Sequence, residues 1–224
     1  MSADDRPKLI YVAQRHPRYT HEAFIQRWRQ HASLGMSQAR WRNVARYLHC
    51  DRIPGLPPSV PTLECDGVAI VVYRSEQARE AHIADEPARR TMKADELDTF
   101  AQPVANVSVL AHEEIERDGP LGGFRLFVFW PGSGAAERAR WDRLRTSADV
   151  GLTRNRPAGP VGSWPWAGVD ELISAHVEPL GALASDFARE RQAIEGEVRF
   201  VLTRTVVLHD VSDLRDATRQ PSAS

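Results

Sequence analysis

The feature that most restricts how this chain can fold is that its strand-like runs are apolar on both side-chain parities. Residues 8–16, KLIYVAQRH, lie between Pro7 and Pro17; Ile10 and Val12 fall on one face, Leu9, Tyr11 and Ala13 on the other. Residues 67–74, GVAIVVYR, repeat the pattern. Successive side chains of a strand point to opposite faces, so such runs require a sheet covered on both sides.

The remaining elements follow from periodicity and punctuation. Thr20 stands at an N-cap position before HEAFIQRWRQHAS, where Phe24, Trp28 and His31 recur at i, i+4 and i+7 on one helical face. Residues 43–51 read as a second strand, followed by the Pro- and Gly-rich loop IPGLPPSVP. After the strand at 67–74, residues 75–100 read as helix interrupted at Pro87, and 103–112 as a fourth strand. The first half is therefore β-α-β-β-α-β, the order of a ferredoxin-like unit.

The pattern then restarts. Residues 124–130 (FRLFVFW) read as strand, 135–146 as helix with Trp141, and 150–157 as a weaker strand. A further strand is placed within GPVGSWPW, helix over 168–192 with a break at Pro179, and a strong strand over 198–210. Short words repeat too: Ala81-His82 lies before Pro87 and Ala175-His176 before Pro179, while Trp28 and Trp141 take comparable places in the two halves. Three residues beyond Trp28 stands His31, but three beyond Trp141 stands Leu144, so the fold is duplicated and the candidate site is not. The expected organisation is a first unit at 1–112, a linker at 113–123, a diverged second unit at 124–210 and a flexible tail at 211–224. Two such antiparallel sheets bury their free faces against each other, which predicts an α+β chain with an intrachain α/β barrel.

Composition removes several function classes. The chain has 224 residues, 29 Lys+Arg against 30 Asp+Glu, and a net charge of −1, so no basic field or patch points to nucleic acid. No apolar run approaches the roughly 20 residues that span a bilayer, and MSADDRPK has no apolar core of a signal peptide, so a cytoplasmic protein is expected. Cys50 and Cys65 form no CxxC and read as buried thiols; the eight histidines form no HExxH or HxH, and no metal or cofactor is expected. GxGxxG, GxxxxGK[ST] and GxSxG are absent from the sequence.

The run RHPRYTHEAFIQRWRQHASL, the strand at RYLHC, DGVAIVVYRS and the later ADELDTF together resemble the EthD family of dimeric α/β-barrel proteins over residues 8 to 112. Phe24, Trp28 and His31 after Arg15 and Pro17, and Asp95, Glu96 and Phe100 before the fourth strand, carry the resemblance. It implies a tandem fusion that makes within one chain the barrel the family makes by homodimerisation, either a monomer with a pseudo-dimeric barrel or a homodimer. The wider superfamily implied includes cofactor-free cyclases, decarboxylases and isomerases as well as haem enzymes, so fold is implied more firmly than reaction.

Six residues are the candidate site. His31 should point from its helix toward the sheet as a proton-transfer group. Tyr47 and His49 share one parity of the second strand and can polarise or deprotonate an enolisable carbonyl compound, or else line a barrel face. Arg15 is a candidate carboxylate or phenolate binder, Trp28 a pocket wall, and Tyr73 a hydroxyl at the pocket mouth. His82 and His176 read as structural, and Trp164 and Trp166 as an aromatic lid over a planar ligand or a plug of the barrel end. The expected function is cofactor-independent acid–base chemistry on an aromatic or polyketide-like acid or lactone. The alternatives are a non-catalytic carrier or oxygenase accessory protein of a hydrophobic metabolite and, third, a haem protein.

Overall fold

The computed structural model describes residues 6–131, 139, 141–143, 146, 149–159, 164–190 and 198–211. Eight antiparallel strands close into one barrel: β1 (Lys8–Ala13), β2 (Val44–Arg52), β3 (Gly67–Tyr73), β4 (Ser108–Arg117), β5 (Gly123–Trp130), β6 (Gly151–Pro157), β7 (Gly168–Ser174) and β8 (Arg199–Asp210). The order around it is β1-β3-β2-β8-β5-β7-β6-β4. Each half contributes the ferredoxin-like order, β4-β1-β3-β2 and β8-β5-β7-β6, and the halves join at the β2–β8 and β4–β6 seams. The expected α+β barrel is thus the fold of this chain.

Strand alternation sorts the side chains as the two-sided apolar pattern requires. Ile10, Val12, Leu48, Val68 and Ile70 turn inward against Phe127, Phe129 and Val201 of the second half. Tyr11, Ala13, Tyr47, Ala69, Val71 and Tyr73 turn outward to the helices α1 (His21–Met36), α2 (Glu76–Ala84) and α3 (Glu86–Thr99). Thr20 caps α1, its Oγ1 accepting from the Ala23 N–H. The break expected at Pro87 falls at Asp85, whose side chain caps α3, while Pro87 sits in the first helical turn where its missing N–H costs nothing.

The second half departs from expectation beyond β6. Residues 168–174 are strand β7 and not helix; only Glu178–Glu190 forms the helix α4. Asp170 and Glu171 disguised the strand, since buried carboxylates are rare in sheets. Both are buried here because each has a partner: Asp170 accepts from Trp130 Nε1 at 3.0 Å, and Glu171 accepts from Lys8 Nζ at 2.6 Å. The word shared by the halves marks no common element either, because His82 lies in α2 and His176 in an exposed turn before α4. β4 runs on to Arg117, into the stretch expected to be linker. Of the expected helix at 135–146, Ala139, Trp141–Arg143 and Thr146 are described and are helical; the strand expected within GPVGSWPW is not formed at Gly159 or Trp164–Trp166, its place in the sheet being taken by β7; and the rest of that helix, residues 160–163 and the tail beyond Val211 lie outside the described residues.

Trp28 and the β2–β3 pairing leave no room at Gly67, where an added Cβ would lie 2.6 Å from the Cys50 carbonyl oxygen and 2.7 Å from Trp28 Cζ3. Neither the ladder carbonyl nor the fully buried indole is free to move. Gly67→Ala is therefore expected to cost about 1–3 kcal/mol in a urea titration; an unchanged midpoint would refute this packing account.

Candidate functional site

A cavity of about 110 Å³ lies between the outward face of the first-half sheet and its helices. Tyr11, Tyr47 and Tyr73 border it from the strands, His31 from α1, His82 from α2, and Arg40 and Trp41 from the 3-10 turn Ala39–Asn43. The helical stripe expected from sequence delivers His31 here, with Phe24 and Trp28 filling the space beside it.

His31 has a carboxylate behind it. Its Nδ1 lies 2.6 Å from Asp95 Oδ2 of α3, and the Phe100 ring meets the imidazole edge-on at 5.0 Å. Burial pushes the His31 pKa below the ordinary histidine value despite Asp95, whose charge is shared with Arg27 Nη2 at 2.5 Å. Burial raises the Asp95 pKa, but hydrogen bonds from Arg27 and His31 outweigh it and hold the carboxyl below its usual range. An ionised Asp95 accepts a hydrogen bond from His31 Nδ1–H, which leaves Nε2 as the basic nitrogen.

Behind Tyr47 a second chain of groups fixes the phenols. Arg29 and Asp51 form an ion pair, and Arg29 also donates to His49 Nδ1. Burial and the Arg29 cation drive the His49 pKa well below the ordinary value, so the ring is neutral and carries its proton on Nε2. That Nε2 donates to Tyr47 Oη at 2.6 Å, while Trp28 Nε1 donates to Tyr11 Oη at 3.0 Å, and the two phenol oxygens stand 3.2 Å apart. Burial raises both phenol pKa values, that of Tyr11 to about 12, so both protons stay on. Only one of the two O–H protons can be shared between Tyr11 and Tyr47. The other has no acceptor among the described residues and is left for an occupant of the cavity.

The cavity wall has other unpaired donors. Arg40 Nε and Trp41 Nε1 are buried N–H groups without an acceptor. Among the described residues Arg40 has no ion-pair partner; its Nη1 donates to the His82 carbonyl at 3.3 Å. His82 Nδ1 donates to the Arg40 carbonyl at 3.2 Å, and burial with the Arg40 cation pushes the His82 pKa down to about 4. Glu96 is the acidic wall: burial raises its pKa, and one carboxylate oxygen accepts from the Val104 N–H at 3.2 Å.

Of the six residues expected from sequence, His31, Tyr47 and Tyr73 border this cavity. His49 and Trp28 stand behind it, stacked at 3.8 Å between ring centres. Arg15 is elsewhere, half-exposed and paired with Asp66 beside His21. Sequence reasoning missed Asp95, Arg40 and Tyr11 as site residues. Asp95 was in view as part of the ADELDTF run, but its pairing with His31 is a tertiary contact across 64 positions.

A haem does not fit this cavity. Sites that bury cofactor-sized ligands hold ~300–1,000 Å³, against about 110 Å³ beside His31 and His82, and the larger described cavities of about 470 and 550 Å³ are lined by no histidine. Among the described residues no group of three His, Cys, Asp or Glu side chains is placed to hold a metal ion.

The EthD domain family model matches residues 16–103, the segment between β1 and β4. The first half of this chain carries an EthD domain. All the residues bordering the cavity except Leu9, Tyr11 and Val104 lie within that EthD match. No curated protein matches the sequence. Among solved structures, a monooxygenase-like protein of Fusobacterium nucleatum superposes with a TM-score of 0.54 at 9% identity, covering 93% of this chain and 94% of its own. A chlorite dismutase-like protein gives 0.55 at 10% identity over 95% and 98%, and an anthrone oxidase-like protein 0.52 at 10% over 92% and 94%. At these identities the likeness establishes the fold alone. No helix among the described residues is long and apolar enough to cross a membrane.

His31, His49 and His82 all have depressed pKa values in the fold. Unfolded, each would titrate near ~6.5, so the unfolded chain binds more protons in acid. Their contribution to stability is complete above about pH 6.5 and is lost as pH falls toward about 4, the His82 value. Thermal melts should be flat from about pH 8 to 7 and decline from about pH 6.5 downward, and His82→Gln should decline less steeply; an identical slope would remove His82 from the account.

Proposed function

We propose that this chain is a small-molecule enzyme performing cofactor-independent acid–base chemistry on a small acid or enolisable carbonyl compound held in the EthD-domain cavity. The observation that carries this reading is the excess of donors around one base. The surplus Tyr11/Tyr47 proton, Arg40 Nε and Trp41 Nε1 all lack acceptors beside the Asp95-held imidazole of His31. Such a wall favours a ligand that presents oxygen lone pairs or a negative charge, and favours it more as negative charge develops.

In the reaction this supports, His31 Nε2 removes the proton α to a carbonyl. The C–H electron pair becomes the carbon–carbon double bond, and the carbonyl π pair moves onto oxygen, where the phenol and the Arg40 and Trp41 N–H groups receive it. The proton on His31 then returns to another carbon in an isomerisation, or leaves with a β-hydroxyl as water in a dehydration. Loss of carbon dioxide from a β-keto acid gives the same enolate. Asp95 fixes the tautomer and steadies the imidazolium, and Glu96, with its raised pKa, is a second proton carrier. The volume of about 110 Å³ suits one ring or the acid head of a larger aromatic or polyketide-like substrate. The two buried free thiols support a cytoplasmic, reducing compartment.

Phenylpyruvate in D2O offers a direct test, with exchange of its α-protons followed by NMR. The wild type should accelerate exchange, His31→Gln should lose about 100-fold or more, and the rate should be level at neutral pH and fall on acidification below about 6.5 as His31 is protonated. Unchanged exchange in His31→Gln would exclude His31 as the base. Arg40→Met should lower kcat and kcat/KM together, because it removes an N–H that receives the charge developing on oxygen; a change confined to KM would contradict that role.

A further inference from the structure

We propose that the cavity at the Trp164 end of the barrel is a second binding site, for an uncharged fused-ring aromatic compound that carries a hydrogen-bond-accepting oxygen. This cavity, about 470 Å³, opens among Val12, Leu63, Val107, Trp164 and Trp166. It is separate from the cavity beneath the helices: Val12 points into the barrel, whereas Tyr11, its neighbour in β1, points to α1.

Three observations give the ligand class. The walls are aromatic, with Phe129 inclined to Trp164 at 6.2 Å and to Trp166 at 5.6 Å between ring centres, a geometry suited to a flat apolar guest. No described side chain lining the cavity is charged, so an ionised ligand would lose its hydration without a counter-charge. Finally, Trp164 is only 4% exposed, yet its Nε1 is buried without an acceptor. An indole N–H is a donor only, so the missing partner is an acceptor, and a carbonyl or ether oxygen on the guest supplies it without charge. The neighbouring amides do not fill that role: Gln14 Oε1 accepts from Gln102 Nε2 at 2.9 Å, and no amide oxygen pairs with the Trp164 Nε1.

The probes are 1-tetralone and tetralin, the same fused ring system with and without the oxygen, titrated into the full chain by ligand-observed NMR. The wild type should bind the ketone about fivefold to tenfold more tightly. Trp164→Phe, which keeps the ring and removes the N–H, should bind both equally. Trp166→Ala should weaken both alike and keep the preference, and His31→Gln should change nothing. The proposal is overturned if the wild type binds neither compound or does not distinguish them, if the preference survives Trp164→Phe, or if His31→Gln abolishes binding. Melting curves of the variants confirm that each comparison is made on folded protein.

Discussion

Closure of the barrel is the constraint on which the rest of this structure depends. Each half builds a four-stranded sheet with helices on one face, and nothing within the half covers the other. Ile10, Val12, Val68 and Ile70 are dry only because Phe127, Phe129 and Val201 meet them from the second half. Burial of that inner layer fixes the register of every strand, since a slip by one residue would turn the whole inner set outward. It also decides which side chains are left for the helices, and so sends Tyr11, Tyr47 and Tyr73 to the cavity and Val12 to the barrel.

The barrel interior is apolar at the Trp164 end and ionic at the other. There Lys8 Nζ donates to Glu113 at 2.8 Å and to Glu171 at 2.6 Å, and Asn155 Nδ2 donates to Glu171 at 2.9 Å. Lys8 belongs to β1 and Glu171 to β7, so this cluster joins the halves through the barrel rather than along a seam. Charges so fully removed from water are sustained only by one another. Single polar partners of this kind discriminate between registers better than another apolar contact does, because a wrong register strands a charge.

The two halves share a fold and divide in use. On the helix-facing side of the second half, Trp130, Trp141, Phe187 and Phe200 pack edge to face at 5.2–6.3 Å. These rings fill the space in which the first half keeps tyrosines, histidines and a cavity. The second half leaves the Trp141 Nε1 unpaired among its packed rings, whereas the first half gathers the Arg40 and Trp41 N–H groups and a phenol proton around one cavity. Such groups reduce stability, and their concentration around one imidazole is what separates a site from a core histidine.

Local sequence patterns already specify the sheet buried on both faces, the ferredoxin-like order of the first half, and the helical stripe that aims His31 inward. These are local properties: parity, 3.6-residue periodicity and a capping threonine operate within a few residues. The sequence also contains the EthD-like run with Asp95 and Phe100, but not the fact that Asp95 holds His31. That Tyr47 faces the cavity while His49 stands behind it, that Arg15 is committed to Asp66, and that Arg40 and Tyr11 join His31 emerges with the folded chain. Each depends on contacts between residues far apart in the chain, which no local pattern encodes. The same holds for β7, whose Asp170 and Glu171 conceal a strand until Trp130 and Lys8 are known to be their partners. Local periodicity specifies which face of an element is apolar, and tertiary packing specifies what that face meets.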